Sequence, residues 1–307
     1  MSRAGLIDPV SDGEGGQTAT HGESAPGTMN APGAGNALWM TAVGGFGDWS
    51  ATANTAKLSS STGGFLAGID GVIGDAFHLG VLGGYQKSDI DVNARASSAT
   101  VDTYLMGLYG STRIDAVALR LGGSYAWHDI DSDRSVTIGA FSDSLTANYG
   151  GHSLQAFAET GLPLDVGGYA LEPFAGLAHV NVRTDGFTES GGAAALSVDA
   201  STTSVTFMTL GLRAGGSVDL GQAVARFHGG LGWQHALGPV DPSVQNSFAG
   251  GTDFTVRGTP IARDVLTINT GLEMDVADNA SLGLAYDGYL SGDSSLHDVK
   301  ARFSLRF

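Results

Sequence analysis

The chain has 307 residues with 48 glycines, 8 prolines and no cysteine, and its 31 acidic and 15 basic side chains give a formal charge of −16. This acidic balance argues against nucleic acid as a partner, because phosphate binding needs a basic surface. A disulfide framework or thiolate metal site needs cysteine, and a membrane-spanning helix needs a run of about 18 apolar residues, which the chain lacks. The glycines follow no Gly-X-Y period, so they favour strands that pack closely or bend.

Residues 1–35 form a polar tract rich in Gly, Ser, Thr and Pro. Such a tract buries too little apolar surface to offset chain entropy, so it is predicted to be a flexible linker. Met1 to Val10 contains one arginine but no apolar core, and it therefore does not resemble a signal peptide. If the protein is exported, we expect this chain to be part of a longer precursor.

Residues 36–307 divide into hydrophobic segments separated by turn chemistry. There are twelve of them, at 36–48, 63–74, 76–91, 97–112, 114–130, 145–162, 168–184, 200–218, 222–238, 261–277, 280–291 and 295–307. Short connectors alternate with longer ones, and the long ones are predicted at 49–62, 131–144, 185–199 and 239–260. This layout predicts an all-β fold: a twelve-stranded antiparallel up-and-down transmembrane β-barrel, with tight turns on one rim and loops on the other.

The clearest segments alternate apolar and polar side chains with the period of two that a strand imposes. In 222–238 the apolar positions are Ala225, Phe227, Gly229, Leu231 and Trp233. In 261–277 they are Leu266, Ile268, Leu272, Met274 and Val276, and in 114–130 they are Val117, Leu119, Leu121, Tyr125 and Trp127. One face of each strand is therefore expected to contact lipid, and the other is expected to line a polar interior.

The last nine residues, VKARFSLRF, form the most regular alternating stretch. One face carries Val299, Ala301, Phe303, Leu305 and Phe307, and the other carries polar and basic side chains. An alternating strand that ends on a C-terminal Phe resembles the terminal signal by which outer-membrane barrels are recognised for insertion. Because backbone groups in hydrocarbon must be satisfied internally, the strands have to close. The first strand, near Asn36 to Asp48, is therefore expected to pair with Ala301 to Phe307.

Short landmarks follow one another in a characteristic order. They are Trp39 with Gly44 to Gly47, GGHSLQAFAETG at 150–161, LEPFAG at 171–176, Phe187-Thr188-Glu189 with Gly191, Gly211-Leu212-Arg213, Trp233-Gln234-His235, FTVRGTP at 254–260 and the terminal FSLRF. In this order, residues 36–307 resemble the translocator (C-terminal β-barrel) domain of type V autotransporters. That family usually threads an α-helical linker through its pore, whereas Gly13 to Gly35 is a poor helix former.

The resemblance implies a barrel in the bacterial outer membrane, with extracellular loops and periplasmic termini, that exports an upstream passenger to the cell surface. The implied partners are outer-membrane lipid, the barrel-assembly machinery, periplasmic chaperones and the chain's own passenger segment, and no cofactor is implied. The residues expected to face the lumen and to contact or frame the threaded segment are Arg120, Glu159, Arg213, Arg226 and Glu273. Mutual pairing of these charges inside a wet pore is the alternative role. Some relatives cut the passenger at a linker asparagine; Asn30 and Asn36 are the candidates here, and cleavage is not predicted.

Enzymatic function is not predicted. His128, His179, His228 and His235 show no HExxH spacing, and neither a GxSxG motif nor a P-loop is present. Two other interpretations remain: a passive outer-membrane channel or adhesin-like barrel, and a soluble β-sandwich. A requirement for detergent would separate a barrel from a sandwich, and a passenger encoded upstream of Met1 would separate a translocator from a channel.

Overall fold

The computed structural model of the protein describes residues 36–52, 55–74, 77–221 and 223–307. Twelve long strands occupy most of these ranges. They are β1 (Ala37–Trp49), β2 (Leu58–Ile73), β3 (Phe77–Val92), β4 (Ser97–Ile114), β5 (Val117–Ile138), β6 (Phe141–Gly161), β7 (Tyr169–Thr184), β8 (Ser201–Asp219), β9 (Val224–Leu237), β10 (Asp264–Ala277), β11 (Ala280–Leu290) and β12 (Ser294–Arg306). The linker predicted for residues 1–35 lies outside the described residues. No helix within the described ranges is long and apolar enough to cross a membrane.

The twelve strands form one closed antiparallel ladder. Each strand pairs with the next along the chain, and β12 returns to pair with β1. In this closing pair Ala37 lies opposite Arg306 and Trp49 lies opposite Ser294, so both strands are paired along their whole length. Closure satisfies the backbone N–H and C=O groups of every strand in the ladder, which is the condition for crossing hydrocarbon. The predicted twelve-stranded barrel and the predicted pairing of its first and last strands are confirmed.

The two ends of the barrel differ in their connections. The end where β1 begins and β12 finishes is called the terminal rim, and its connections are 74–76, 115–116, 162–168, 220–223 and 278–279. The opposite end is called the loop rim, and its connections are 50–57, 93–96, 139–140, 185–200, 238–263 and 291–293. The two longest connections therefore lie at the loop rim.

Side chains alternate between the outer and inner faces of the barrel wall. In β5 the exposed Leu121 and Trp127 alternate with the buried Arg120 and His128, as the sequence pattern predicts. Apolar side chains dominate the exposed set around the whole barrel, with Leu108 at 66% as an example. An apolar outer face and a partly polar inner face are the arrangement that a lipid-exposed barrel requires.

The loop predicted at 131–144 is wrong. Strand β5 continues to Ile138 and β6 begins at Phe141, so the two strands extend as a long hairpin beyond the other strands. The extension is polar on both faces, with Asp131 and Asp133 alternating with Ser132 and Arg134. A strand that has left the lipid no longer needs an apolar face, so its sequence loses the pattern by which the other strands were found.

Loops were predicted at 185–199 and 239–260, and the corresponding connections, 185–200 and 238–263, contain short strands that pair with each other. The strands are Phe187–Thr188, Leu196–Val198, Ser243–Phe248 and Phe254–Arg257, and they form a four-stranded antiparallel sheet. The pairing between the two connections places Leu196 opposite Phe248. This four-stranded unit is called the loop sheet below.

Candidate functional site

Four charged side chains from four neighbouring strands meet on the interior wall near the terminal rim. In the strand register, Arg120 of β5 lies opposite Glu159 of β6, and Glu172 of β7 lies opposite Arg213 of β8. Because β6 also pairs with β7, this basic-acidic-acidic-basic order brings the two pairs together. The group formed by Arg120, Glu159, Glu172 and Arg213 is called the charge network below.

Hydrogen bonds connect each arginine of the charge network to both glutamates. Arg120 Nη1 donates to Glu159 Oε1 at 2.8 Å and to Glu172 Oε1 at 2.9 Å, and its Nη2 donates to Glu172 Oε2 at 3.0 Å. Arg213 donates to Glu172 Oε1 at 2.9 Å and to Glu159 Oε2 at 2.5 Å. All four side chains are at most 11% exposed. Their charges sum to zero, so each buried charge depends on its partners for compensation.

Arg226 belongs to a second group near the same rim. Its Nη1 donates to Asp275 Oδ2 at 2.9 Å, and its Nη2 donates to Glu273 Oε1 at 2.9 Å. Arg306, at the end of β12, lies 3.8 Å from the same Glu273 oxygen. The five residues expected in the lumen therefore fall into two groups, with Arg226 and Glu273 in the second. Both groups display mutual pairing, and their contact with a threaded segment stays a prediction.

A third polar group connects β1 to β4 and β12 at the terminal rim. Trp39 Nε1 donates to the Tyr109 hydroxyl at 2.8 Å, and this hydroxyl donates to Asp70 at 2.6 Å. His78 Nε2 lies 3.1 Å from the same carboxylate, and the guanidinium of Arg302 lies 4.5 Å from the ring centre of Trp39. Together the three groups give this half of the interior a polar wall that involves strands all round the barrel.

The sequence analysis did not identify several members of these groups as site residues. Glu172 lies inside the LEPFAG landmark, yet its role becomes evident only from its position opposite Arg213. Asp275, which alternates with the apolar positions of its strand, accepts a hydrogen bond from Arg226 across the β9–β10 pair. Lys300 donates to Asp287 at 2.7 Å across β11 and β12. The sequence shows that these charged residues lie on the interior face of their strands. It does not show the strand register, which determines the residues they pair with.

The predicted insertion signal lies on the outer face of β12. Val299, Ala301, Phe303 and Phe307 are exposed and Leu305 is half-buried. The backbone of this strand pairs with both β11 and β1. The apolar side chains therefore point towards lipid beside the seam that closes the barrel, and their role in insertion stays a prediction.

The histidines noted in the sequence lie apart from one another. His128 is buried, with its two ring nitrogens 3.0 Å from the hydroxyls of Thr103 and Ser153, and His235 lies near the loop rim beside Asp264. Across the part of the chain that the structure describes, no three His, Cys, Asp or Glu side chains form a group that could hold a metal ion. The interior near the terminal rim offers paired charges and hydrogen-bonding groups, a chemistry suited to contact with a polar polypeptide.

A closed twelve-stranded ladder with an apolar outer face and a charged interior defines a transmembrane β-barrel. The family model described as Autotransporter beta-domain matches residues 38–287. The chain belongs to the autotransporter β-domain family, and it is an outer-membrane translocator barrel of type V secretion.

Two similar curated proteins are both described as "Extracellular serine protease" from Serratia marcescens. They are 38% identical over 274 residues and 37% identical over 273 residues. Each match covers 89% of this chain but 26% of the relative. The chain therefore spans about a quarter of the length of these relatives.

Three solved structures have the same fold. The translocator domain of autotransporter NalP from Neisseria meningitidis has a TM-score of 0.75 at 17% identity, covering 100% of both chains. The β domain of the Bordetella autotransporter BrkA has a TM-score of 0.66 at 17% identity, covering 89% of this chain and 100% of that one. The transport unit of AIDA-I from Escherichia coli has a TM-score of 0.62 at 17% identity, covering 96% of this chain and 98% of that one. At these identities the likeness concerns the fold.

Proposed function

We propose that this barrel exports an upstream passenger through its lumen to the cell surface, with the terminal rim in the periplasm and the loop rim outside. The observation that carries the proposal is the position of the first strand. β1 starts at the terminal rim, on the wall that also holds the charge network, so any segment preceding β1 is attached at that rim. A passenger attached there reaches the opposite side by passing through the barrel.

The proposed orientation is supported by the lengths of the connections. Outer-membrane barrels have short periplasmic turns and longer extracellular loops, and the two longest connections of this barrel lie at the loop rim. The partners proposed for assembly are periplasmic chaperones and the barrel-assembly machinery. The apolar outer faces support this part of the proposal, since an unfolded chain carrying them would aggregate in water.

The passenger is proposed to be a serine protease, and the barrel itself is proposed to have no catalytic role. The descriptions of the two Serratia marcescens relatives support the passenger assignment. A fluorophosphonate probe for active-site serines, applied to cells that produce the complete precursor, should label a surface or released fragment. Labelling of no exported fragment would contradict the protease assignment and leave the export function standing.

Export is tested with a complete precursor in which a signal peptide and a reporter domain precede Met1. Protease added to intact cells should digest the reporter, because the barrel has carried it outside. Assembly of the barrel is checked in the same cells by the different gel migration of heated and unheated samples. A reporter that remains protected in the periplasm, beside an assembled barrel, would contradict export and favour the passive channel.

A further inference from the structure

Buried apolar side chains occur all round the interior wall near the loop rim, among buried polar ones such as His128 and Gln234. Every one of the twelve strands contributes at least one buried apolar side chain to it. In strand order they are Trp49, Leu58, Val92, Val101, Ile130, Tyr149, Val180, Val205, Ala236, Val265, Tyr289 and Leu296. This ring of side chains is called the apolar collar below. It lies between the charge network and the loop rim.

Residues from the two longest connections pack onto the inside of the apolar collar. Ile261 is 4% exposed and packs, with Val240, against the wall formed by β7, β8 and β9. The next residue, Ala262, packs against the cluster that includes Trp49 and Leu296 on other strands. The end of the segment 238–263 therefore packs on two neighbouring parts of the collar, on either side of the β9–β10 pair.

A side chain of the other connection also contacts the collar. The ring of Phe187 stacks on Tyr149 of the collar, with centroids 3.9 Å apart and planes at 7°. The pairing of Leu196 with Phe248 then joins this connection to the segment that carries Ile261. The loop sheet is thus attached to the inside of the collar from both of its parent connections.

A buried ion pair fastens the loop sheet to the interior wall. Glu189, from the connection 185–200, pairs with Arg134 on the inner face of the β5 extension, and both side chains are at most 5% exposed. Arg134 Nε donates to Glu189 Oε1 at 2.9 Å and its Nη2 donates to the Ala194 carbonyl at 2.9 Å, while the Leu196 N–H donates to Glu189 Oε2 at 3.0 Å. One ion pair therefore holds several points of the same connection.

The backbone of this connection also docks on β6. Thr146 and Ser190 exchange two N–H···O=C hydrogen bonds, both 2.9 Å long. The following Gly191 has a φ of +118°, and a Cβ at this position would lie 2.1 Å from the Ser144 carbonyl oxygen. Glycine is therefore needed for both the backbone conformation and the close approach.

We propose that the loop sheet is a gate, which closes the outer mouth on the apolar collar and opens for the passenger by release of the Arg134–Glu189 pair. An apolar constriction opposes the passage of ions and water when it closes, because it offers them no hydrogen bonds. The gate acts independently of residues 1–34, so removal of those residues alone leaves the mouth closed. The biological purpose of the gate rests on the proposed export function, but its electrical test needs no passenger.

The test measures single-channel open probability in planar bilayers, for the full chain and for a chain lacking residues 1–34. The shorter chain retains all twelve strands of the closed ladder. Glu189→Gln, which removes the anion of the pair, should raise the open probability of the shorter chain at least about tenfold. Gly191→Ala should do the same by undocking the connection from β6. Lys57→Ala is the matched control, because it removes the exposed Lys57–Asp48 pair at the same rim and should change nothing.

A reversible lock completes the design, since the chain contains no native cysteine. The Thr146–Ser190 pair exchanges two backbone hydrogen bonds, a geometry with Cα atoms about 5.5 Å apart, within the range that a disulfide spans. Thr146→Cys with Ser190→Cys should abolish openings when oxidised and restore them on reduction. Oxidised barrels that open like reduced ones would overturn the proposal. Free conduction by barrels that lack residues 1–34 but keep an intact gate would also overturn it. The same holds if the Glu189→Gln and Gly191→Ala variants of these barrels fold normally but do not open.

Discussion

The interior wall near the terminal rim carries a network of four buried charges, whereas the wall near the loop rim carries a ring of buried apolar side chains from every strand. In the first half, Arg120, Glu159, Glu172 and Arg213 compensate one another's charges within the wall. In the second half, Val205 and Leu296 are buried in two neighbouring apolar clusters, which residues of the connection 238–263 also join. The charged groups of the polar half are thus compensated within the wall itself. The apolar side chains of the other half are stabilised when a segment in the mouth covers them and removes them from water.

The two halves would therefore offer different contacts to a polypeptide on the proposed export route. A polypeptide entering at the terminal rim meets paired charges and hydrogen-bonding groups, which can exchange partners with a polar chain. It would then meet the apolar collar and the loop sheet, the proposed gate. Substitutions in the closing strand, in the polar half and in the apolar half are expected to affect the barrel to different degrees.

The largest effect is expected where the barrel closes, because neither half exists without closure. Deletion of Phe307, or the double substitution Phe303→Asp with Leu305→Asp, should abolish assembly in the outer membrane. Charge on the lipid face costs up to about 2–4 kcal/mol at midplane depth for basic residues and less for acidic ones. Ser304→Asp places one acidic charge on the inner face of this strand and is the control for each of the two outer substitutions. If the variant without Phe307 reaches the outer membrane at normal levels and migrates differently before and after heating, these residues are not an insertion signal.

In the polar half, Arg213→Ala should lower the free energy of unfolding by about 3–5 kcal/mol, because the two buried glutamates of the charge network then share a single arginine partner. Denaturant titration of the folded barrel in detergent measures this change. Arg183→Ala, at an exposed position of β7, should cost much less. If Arg213→Ala and Arg183→Ala cost the same, the charge network does not stabilise the barrel through paired charges.

In the apolar half, Val205→Ala should lower the free energy of unfolding by about 2 kcal/mol, through loss of buried methyl groups and the cavity they leave. The same titration applies, and its result should be insensitive to salt because no charge changes. Leu210→Ala on the outer face of β8 is the control, since that side chain is exposed rather than packed in the collar. An effect no larger than that of the control would show that the collar is not tightly packed.

The number of strands, their closure and their alternating faces could be predicted because lipid on one side imposes a period of two on each strand. The extension of β5 to Ile138 could not, since both of its faces meet water and the pattern disappears. The charge network was foreseen as separate lumen-facing residues, but its connection through Glu172 depends on the register of four strands. The loop sheet was missed because strands as short as Leu196–Val198 show no clear alternation and are stabilised by partners far away in the sequence.

Crosslinking during export shows whether a passenger passes through this lumen. A photo-reactive amino acid replaces Ser124, on the inner face of β5 below the collar, or Leu121, on its outer face. The precursor carries a folded, disulfide-closed reporter that stalls export partway. We expect illumination to crosslink the passenger to position 124 and not to position 121. Equal crosslinking at both positions, or none at 124 while the passenger reaches the surface, would contradict the account.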